Sequence, residues 1–373
     1  MRIAFDHQIF TIQSYGGISR YFVRLVQGLL ALGETANVLA PIHHNHYLGD
    51  LPKGVVHGLG FKSFPPKTHR IVTEINRQIC AARLRRLRPE ILHETYYATA
   101  PVGGTFAGRV LTVYDMIHER FPKEFDRNDP TSQRKRSAVA RADHIICISH
   151  STKSDLCQMF DLPSERVSVV HLGFDHLMGD ALAEVPIRVG DRPFLLYVGH
   201  REGYKNFART VRAVASCAVL REAFDIVAFG GGAFRPQELG LIQSLGLRDG
   251  AVRQLGGDDA VLGSLYGRAA ALVYPSLYEG FGLPPLEAMA HDCPVITSNV
   301  SSMPEVVGQA GAFFDPSDVE AQAEAIRSVV CDTERRLQLV ALGRVRLSNF
   351  SWSSCAMETR AVYRDVMEMK EIR

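Results

Sequence analysis

Two glutamates eight positions apart, Glu279 and Glu287, stand in the segment YPSLYEGFGLPPLEAMAHDCPVITSN. A carboxylate in such a turn can accept hydrogen bonds from the paired hydroxyls of a sugar or ribose. Gly280 and Gly282 shape the turn, and Pro284 and Pro285 suit the first turn of a helix starting near Leu283. The N–H groups of Gly280, Phe281, Gly282 and Leu283 would then be aimed at an anion. A second cluster, YVGHREGYKNF, sets Arg201 and Lys205 between Gly199 and the helix that follows. Two cations there would neutralise a diphosphate; solvated surface charges are the plain alternative. In VLTVYDMIHERFP, Asp115 and His118 lie at a strand end, where either could act as a base or orient a hydroxyl. In QSYGGISRYF, Gly16 and Gly17 let backbone come close to a ligand, and the helix from Ile18 points its N–H groups the same way.

Other chemistries are missing from the pattern. Neither Gly16-Gly17 nor Gly230-Gly231-Gly232 completes G-x-G-x-x-G, and no phosphate loop ends in G-K-[ST], which lowers dehydrogenase and P-loop readings. His43, His44 and His46 form a small cluster, read as a solvated loop or a metal site. The seven cysteines are scattered without a C-x-x-C pair, as buried thiols in a reducing cytoplasm would be. The start, MRIAFDHQIF, reads as a strand containing Asp6 rather than as a secretion signal.

Strand-to-helix turns must position these residues. Short apolar runs fall at 2–10, 35–42, 55–60, 91–95, 109–115, 144–149 and 167–172, then at 193–199, 225–230, 251–256, 271–275, 294–298 and 311–315. Runs such as FLLYVG are apolar on both faces, as strands of a covered parallel sheet are. Helix-period segments lie between them at 18–32, 207–220, 258–269 and 283–291, and three more follow at 317–330, 333–348 and 353–369. The alternation predicts an α/β fold of two doubly wound domains, 1–180 and 181–350, with a final helix over 351–373. The junction is expected near 176–192, where Gly179, Pro186, Gly190 and Pro193 cluster. Ligands of such sheets bind beyond the carboxyl ends of the strands, where the turns above fall.

The 373 residues suit two cores, and 46% hydrophobic with 22% charged residues excludes disorder as the main reading. A net charge of +2 excludes a strongly basic nucleic-acid binder. No apolar run approaches the roughly 18–20 residues of a membrane span. Segment 62–88 holds eight Lys and Arg against one acid, Glu74, with isoleucines and leucines interleaved. It reads either as a solvated helix face or as a helix in peripheral contact with an anionic membrane.

At these residues the sequence resembles glycosyltransferase family 4, retaining transferases of the GT-B fold. Glu279 and Glu287 match the family's E-x7-E motif within EGFGLP…EAMA, and YGGISRYF, ICISHSTKSDL, VVHLGFD and YVGHREGYKNF follow in the family's order. Within the family the chain looks most similar to mannosyltransferase-like members of bacterial surface polysaccharide synthesis. The resemblance implies two Rossmann-like domains facing across a cleft, a nucleotide-binding second domain, and a last helix returning to the first domain. It implies that Gly17 lies against the donor diphosphate or the acceptor, and that Arg201 and Lys205 hold the leaving diphosphate. Glu287 would bind the ribose, Glu279 the transferred sugar, and the base would sit near Leu255. Two positions depart from the pattern: His200 stands where many members have Arg, and Tyr114 precedes Asp115 where many have His. The implied reaction moves a hexose, mannose from GDP-mannose first, to a glycan or lipid-linked acceptor in the cytoplasm. The sequence holds no D-x-D, so Arg201, Lys205 and helix N-termini would supply the positive field without a metal or other cofactor. The rival readings are a nucleotide-sugar isomerase on the same architecture and a non-catalytic sugar-nucleotide-binding module.

Overall fold

The computed structural model describes residues 1–174 and 189–371. Two compact units emerge: Met1–Gly173 with Phe350–Arg373, and Phe174–Asn349. The junction expected near 176–192 falls largely on 175–188, outside the described residues.

The first unit holds β1 (Arg2–Phe5), β2 (Thr35–Val38), β3 (Ile42–His43), β4 (Leu59–Gly60), β5 (Ile91–Glu94), β6 (Gly108–Val113), β7 (His144–Cys147) and β8 (Val167–Val169). Six of these form a parallel sheet in the order β2-β1-β5-β6-β7-β8, and β3 pairs with β4 apart from it. The second unit holds β9 (Phe194–Val198), β10 (Asp225–Phe229), β11 (Val252–Leu255), β12 (Ala271–Tyr274), β13 (Val295–Ser298) and β14 (Gly311–Phe314). Its order is β11-β10-β9-β12-β13-β14, again all parallel. Each sheet therefore reverses its winding once, between β1 and β5 in one unit and between β9 and β12 in the other. Such a switch point splays two loops apart and leaves a crevice at the strands' carboxyl ends.

The strands read as buried on both faces: every residue of β5, β7, β9, β12 and β13 is buried. Acidic and hydroxyl residues start several helices. Ser149 caps Thr152 N, Asp258 caps Val261 N, and Asp318 and Asp332 cap the helices Val319–Val330 and Thr333–Leu347.

Several boundaries differ from the sequence reading. The first strand ends at Phe5, not residue 10, because the Asp6 carboxylate accepts from the Gln8 amide and turns the chain into the helix Gln8–Ile12. Segment 35–42 is cut at Val38, and Ile42–His43 belongs to the separate pair; Pro41 lies between them and has no N–H to give a ladder. Of 55–60 only Leu59–Gly60 is strand, with an isolated bridge at Val56. Segment 207–220 is two helices, Phe207–Ser216 and Ala218–Ala223, parted where Cys217 takes extended geometry. The basic segment is helical only over His69–Leu87, since Pro65 and Pro66 precede it and Lys67 sits at φ +66°.

The chain's last helix, Trp352–Glu371, completes the first unit. It packs on the helix Gly17–Ala31, where a Cβ on Gly28 would meet the Ala356 Cβ at 2.6 Å. Tyr363 Oη lies 2.6 Å from Nδ1 of His93 on β5, tying that helix to the sheet.

Candidate active-site residues of the two units

In the second unit the loops after β9 and β12 meet at the switch point. Asn206, in left-handed conformation at φ +62°, donates from Nδ2 to the carbonyls of Pro275 (2.9 Å) and Pro316 (2.8 Å). The Leu277 amide donates to the Tyr204 carbonyl at 2.7 Å. These bonds hold Lys205 against the turn that carries Glu279. Lys205 Nζ donates to Glu279 Oε1 at 2.6 Å and to Tyr274 Oη at 3.4 Å. Ser276 Oγ donates to the same carboxylate oxygen at 2.6 Å. An ammonium has three donors, and two have partners among the described residues. Burial, with Glu279 beside it, holds the Tyr274 phenol well above its ordinary range, so it stays neutral.

The turn after Glu279 is built from its backbone. Ser302 Oγ donates to the carbonyls of Glu279 and Phe281, each at 2.9 Å, and Ser301 Oγ accepts from the Glu279 amide at 2.9 Å. Gly282 sits at φ +101°, and a Cβ there would meet Met303 Cε at 2.3 Å. The positive φ favours glycine before the helix Leu283–Ala290, while the flexible end of Met303 would have to give way to a side chain there. One turn into that helix Glu287 Oε2 accepts from Tyr266 Oη at 3.0 Å. Burial first, then Glu287, raises the Tyr266 pKa.

Arg201 takes a different place from the one expected. Its guanidinium is buried and turned onto the loop after β10: Nε donates to Glu238 Oε1 at 2.7 Å, Nη1 to the Gly230 carbonyl at 2.7 Å, and Nη2 to the carbonyls of Gly232 and Ala233 at 3.0 Å each. Burial resists ionisation of Glu238, but the bonds from Arg201 and the Arg235 amide outweigh it and hold this carboxyl below the usual range. Gly230, Gly231 and Gly232 all have positive φ, and a Cβ on Gly231 would meet Arg201 Nη1 at 2.6 Å. The structure thus brings Lys205 and Glu279 together and sets Arg201 to shaping a glycine loop. Gly199, at φ +130°, donates to the Phe229 carbonyl. Leu255 ends β11, and its carbonyl accepts from Gly230 N at 3.0 Å.

In the first unit the switch point is braced by Asp6. Its carboxylate accepts from Thr95 N (2.9 Å), Thr95 Oγ1 (2.6 Å) and Gln8 Nε2 (2.6 Å). Burial raises its pKa despite these bonds. Gly17 begins the helix Gly17–Ala31, with open space where a Cβ would stand. Gly16 precedes it, its carbonyl accepting from Arg20 N and Ser19 Oγ.

Asp115 follows β6; its carboxylate accepts from Ile117 N at 3.0 Å and lies 3.8 Å from Nζ of Lys135. Lys135 is fully buried and donates to the Asp115 carbonyl (2.8 Å) and to Glu119 Oε2 (2.6 Å). His118 faces elsewhere, stacked on Phe125 at 3.9 Å between ring centres and 3.8 Å from Asp129 Oδ2. His44 meets Phe64 edge-on and His46 stacks on Tyr15. Sequence reasoning passed over Lys135, Glu238 and Asn206. An asparagine just ahead of a helix pattern, a residue type that tolerates left-handed backbone, was the one signal available for these three.

Comparison with known proteins speaks to the family and the fold. Residues 15–176 match the model described as Glycosyltransferase Family 4, and residues 181–346 match Glycosyl transferases group 1. The O-antigen chain mannosyltransferase B of Escherichia coli is 32% identical over 228 residues, 59% of this chain and 60% of that protein. The serotype-specific mannosyltransferase WbdA of Escherichia coli is 29% identical over 284 residues, 70% of this chain and 34% of its own length. The match therefore spans from about a third to 60% of these two relatives. The O-antigen chain mannosyltransferase RfbU of Salmonella typhimurium is 24% identical over 84% of this chain and 87% of its own. Among solved structures, a sucrose-phosphate synthase from Thermosynechococcus elongatus superposes with a TM-score of 0.75 at 21% identity, covering 99% of this chain and 100% of that one. Anabaena Alr3699/HepE, solved with UDP and glucose, gives 0.71 at 15% identity over 98% and 100%. At such identities these two structures speak for the fold.

Proposed function

The chain belongs to glycosyltransferase family 4 and has the GT-B fold, and from that premise we propose that it transfers mannose from GDP-mannose to a growing surface glycan, with retention and without a metal. The observation that carries the reading is the Lys205–Glu279 pair at the second unit's switch point, beside the N-terminus of the helix Leu283–Ala290. A nucleotide diphosphate leaving group needs its growing negative charge met as the bond breaks. The third donor of Lys205 and the first amides of that helix supply positive potential there. Glu279, already oriented by Lys205 and Ser276, offers its other oxygen to a sugar hydroxyl. Glu287 receives the ribose hydroxyls, with Tyr266 fixing its carboxylate. In a front-face reaction the sugar–phosphate C–O bond breaks as the acceptor oxygen bonds to the same face of the anomeric carbon. The acceptor's proton passes to the departing phosphate oxygen.

The choice of mannose and of a surface polysaccharide is supported by relatives whose names state both. Acceptor work belongs to the first unit, with Asp115 oriented by Ile117 N and the Lys135 charge. Among the described residues no helix is long and apolar enough to cross a membrane. Contact with an anionic membrane would instead run through His69–Leu87, where Ile71, Ile75 and Ile79 are exposed at four-residue spacing among arginines.

The test is a thermal-shift and hydrolysis screen against GDP-mannose, UDP-glucose, UDP-GlcNAc, UDP-galactose and dTDP-sugars, each with and without EDTA. Stabilisation and slow hydrolysis confined to GDP-mannose and insensitive to EDTA are expected. A response to a uridine donor alone, or one abolished by EDTA, overturns the donor or the metal part respectively.

A further inference from the structure

We propose that Tyr274 is a positioning residue of the transfer reaction, its phenol oxygen fixing the direction in which the Lys205 ammonium presents its remaining N–H bond. This rests on the transferase reading above and deepens it at the same site. Tyr274 ends β12 and is 2% exposed. Thr297 Oγ1, on the neighbouring β13, donates to its carbonyl at 2.9 Å and so pins the backbone from which the ring projects. The ring's oxygen accepts from Lys205 Nζ at 3.4 Å, while Glu279 Oε1 accepts from the same nitrogen at 2.6 Å. A second buried phenol holds the other end of the lysine. Tyr197, on β9 beside β12, turns its hydroxyl to the carbonyls of His200 and Lys205, the latter at 3.2 Å. One tyrosine thus holds the backbone of Lys205 and the other its ammonium.

Geometry gives the phenol oxygen its importance. An ammonium bound through one N–H still turns about its Cε–Nζ bond. Bound through two it does not, and the third N–H then has a single direction. Glu279 Oε1 is the first anchor and Tyr274 Oη the second, longer one. The two anchors differ in kind. Glu279 is an anion that offsets the lysine's charge, and Ser276 Oγ shares its oxygen at 2.6 Å. Burial and then the charge of Glu279 keep the Tyr274 phenol protonated. It therefore orients the ammonium without cancelling the charge that a leaving diphosphate needs. Packing alone asks for no hydroxyl here. Every residue of β12 is buried, and phenylalanine would fill the same place without burying a polar atom that costs free energy unless partnered.

The test is Tyr274→Phe, which removes one oxygen and keeps the ring, assayed by single-turnover and steady-state kinetics on GDP-mannose and, in parallel, UDP-glucose and UDP-GlcNAc. The turnover number should fall about tenfold while KM for the donor moves by less than about twofold, since the charge is kept and only its aim is lost. In the Lys205→Ala background the same change should cost nothing further, because the phenol acts through that lysine. NMR of the lysine ammonium groups, with Lys205 assigned by its loss in Lys205→Ala, should show a resolved Lys205 signal in the wild type that broadens in Tyr274→Phe. A turnover number within about twofold of wild type, or a full and additive loss in the Lys205→Ala background, overturns the positioning role. An unchanged ammonium signal overturns the contact itself. A wild type that turns over no nucleotide sugar overturns the transferase reading instead, while the ammonium signal still reads the contact, so the two failures are distinct.

Discussion

The two units solve one topological problem in opposite ways. Both wind a six-stranded parallel sheet that reverses once, and both bring two loops together at that reversal. In the first unit the two loops are braced by a buried carboxylate: Asp6 is fully buried and its oxygens accept from Thr95 and Gln8. In the second unit the meeting is an ion pair, Lys205 with Glu279, whose side chains keep 16% and 10% of their exposure and whose donors are not all used among the described residues. A carboxylate closed on neutral donors stiffens a fold. A cation held at the edge of solvent by a carboxylate is poised to meet another anion. The same crevice thus carries a carboxylate closed on neutral donors in one unit and an ion pair in the other.

The largest effect expected from this contrast is at Lys205. Lys205→Ala should lower turnover by about 10²–10³-fold, as loss of one charge-stabilising donor does. Because the pair is mostly buried, removing one partner should also cost stability, up to about 3–5 kcal/mol, so turnover is read per folded molecule. The measurement is single-turnover transfer beside a thermal melt. Turnover within twofold of wild type in a folded variant would remove Lys205 from the leaving-group role.

The first unit should answer in the other currency. Asp6→Ala leaves the Thr95 and Gln8 donors buried without their acceptor, a loss of about 2–3 kcal/mol. Trp352 is the chain's only tryptophan and sits against Tyr21 in this unit. Urea unfolding followed by its emission therefore reads the unit directly. Donor hydrolysis per folded molecule should be unchanged. A loss of hydrolysis without loss of stability would erase the distinction between the two crevices.

Arg201 sharpens the same comparison inside the second unit. If its role is to clamp the 230–232 loop, Arg201→Lys should fail nearly as badly as Arg201→Ala, each about tenfold down in kcat/KM. An ammonium cannot reach Glu238 and three carbonyls at once. If its charge serves the leaving group directly, the lysine should restore most of the rate.

That residue also shows how far the sequence could be read. The glutamate spacing, the glycines and the prolines of 279–287 report local backbone geometry, and local geometry is what a sequence states openly. Lys205 was legible for the same reason, lying a fixed distance past its strand. The contacts of Arg201 were not legible, because its partners, Glu238 and the glycine loop, come from 29–37 positions away, and nothing near Arg201 announces them. Lys135 was invisible likewise: a lysine in a polar helix reads as solvated until β6 and its loop fold over it. The early end of β1 had a similar cause, since Asp6 turns the chain only with the help of Thr95, 89 residues on.

The smallest effect is a pH slope confined to the first unit. His93 is fully buried between Tyr363 Oη and Thr112 Oγ1, and burial holds its pKa down to about 3. The folded ring is therefore neutral, while in the unfolded chain it takes a proton below about 6.5. Stability from this group is complete above that value and is lost as pH falls from about 6.5 towards about 3. Between pH 8 and pH 6 the loss is roughly 1 kcal/mol. His7, held down to about 4 by burial and by the positive charges of Arg77 and His69, pulls in the same direction. Urea midpoints read through Trp352 should fall over that interval in the wild type. The fall should be shallower by about that amount in His93→Gln, which starts less stable because its amide cannot match both partners of the ring. An equal slope in the two proteins would mean that His93 is not the group that titrates, and that the last helix is tied to the sheet without any cost in acid.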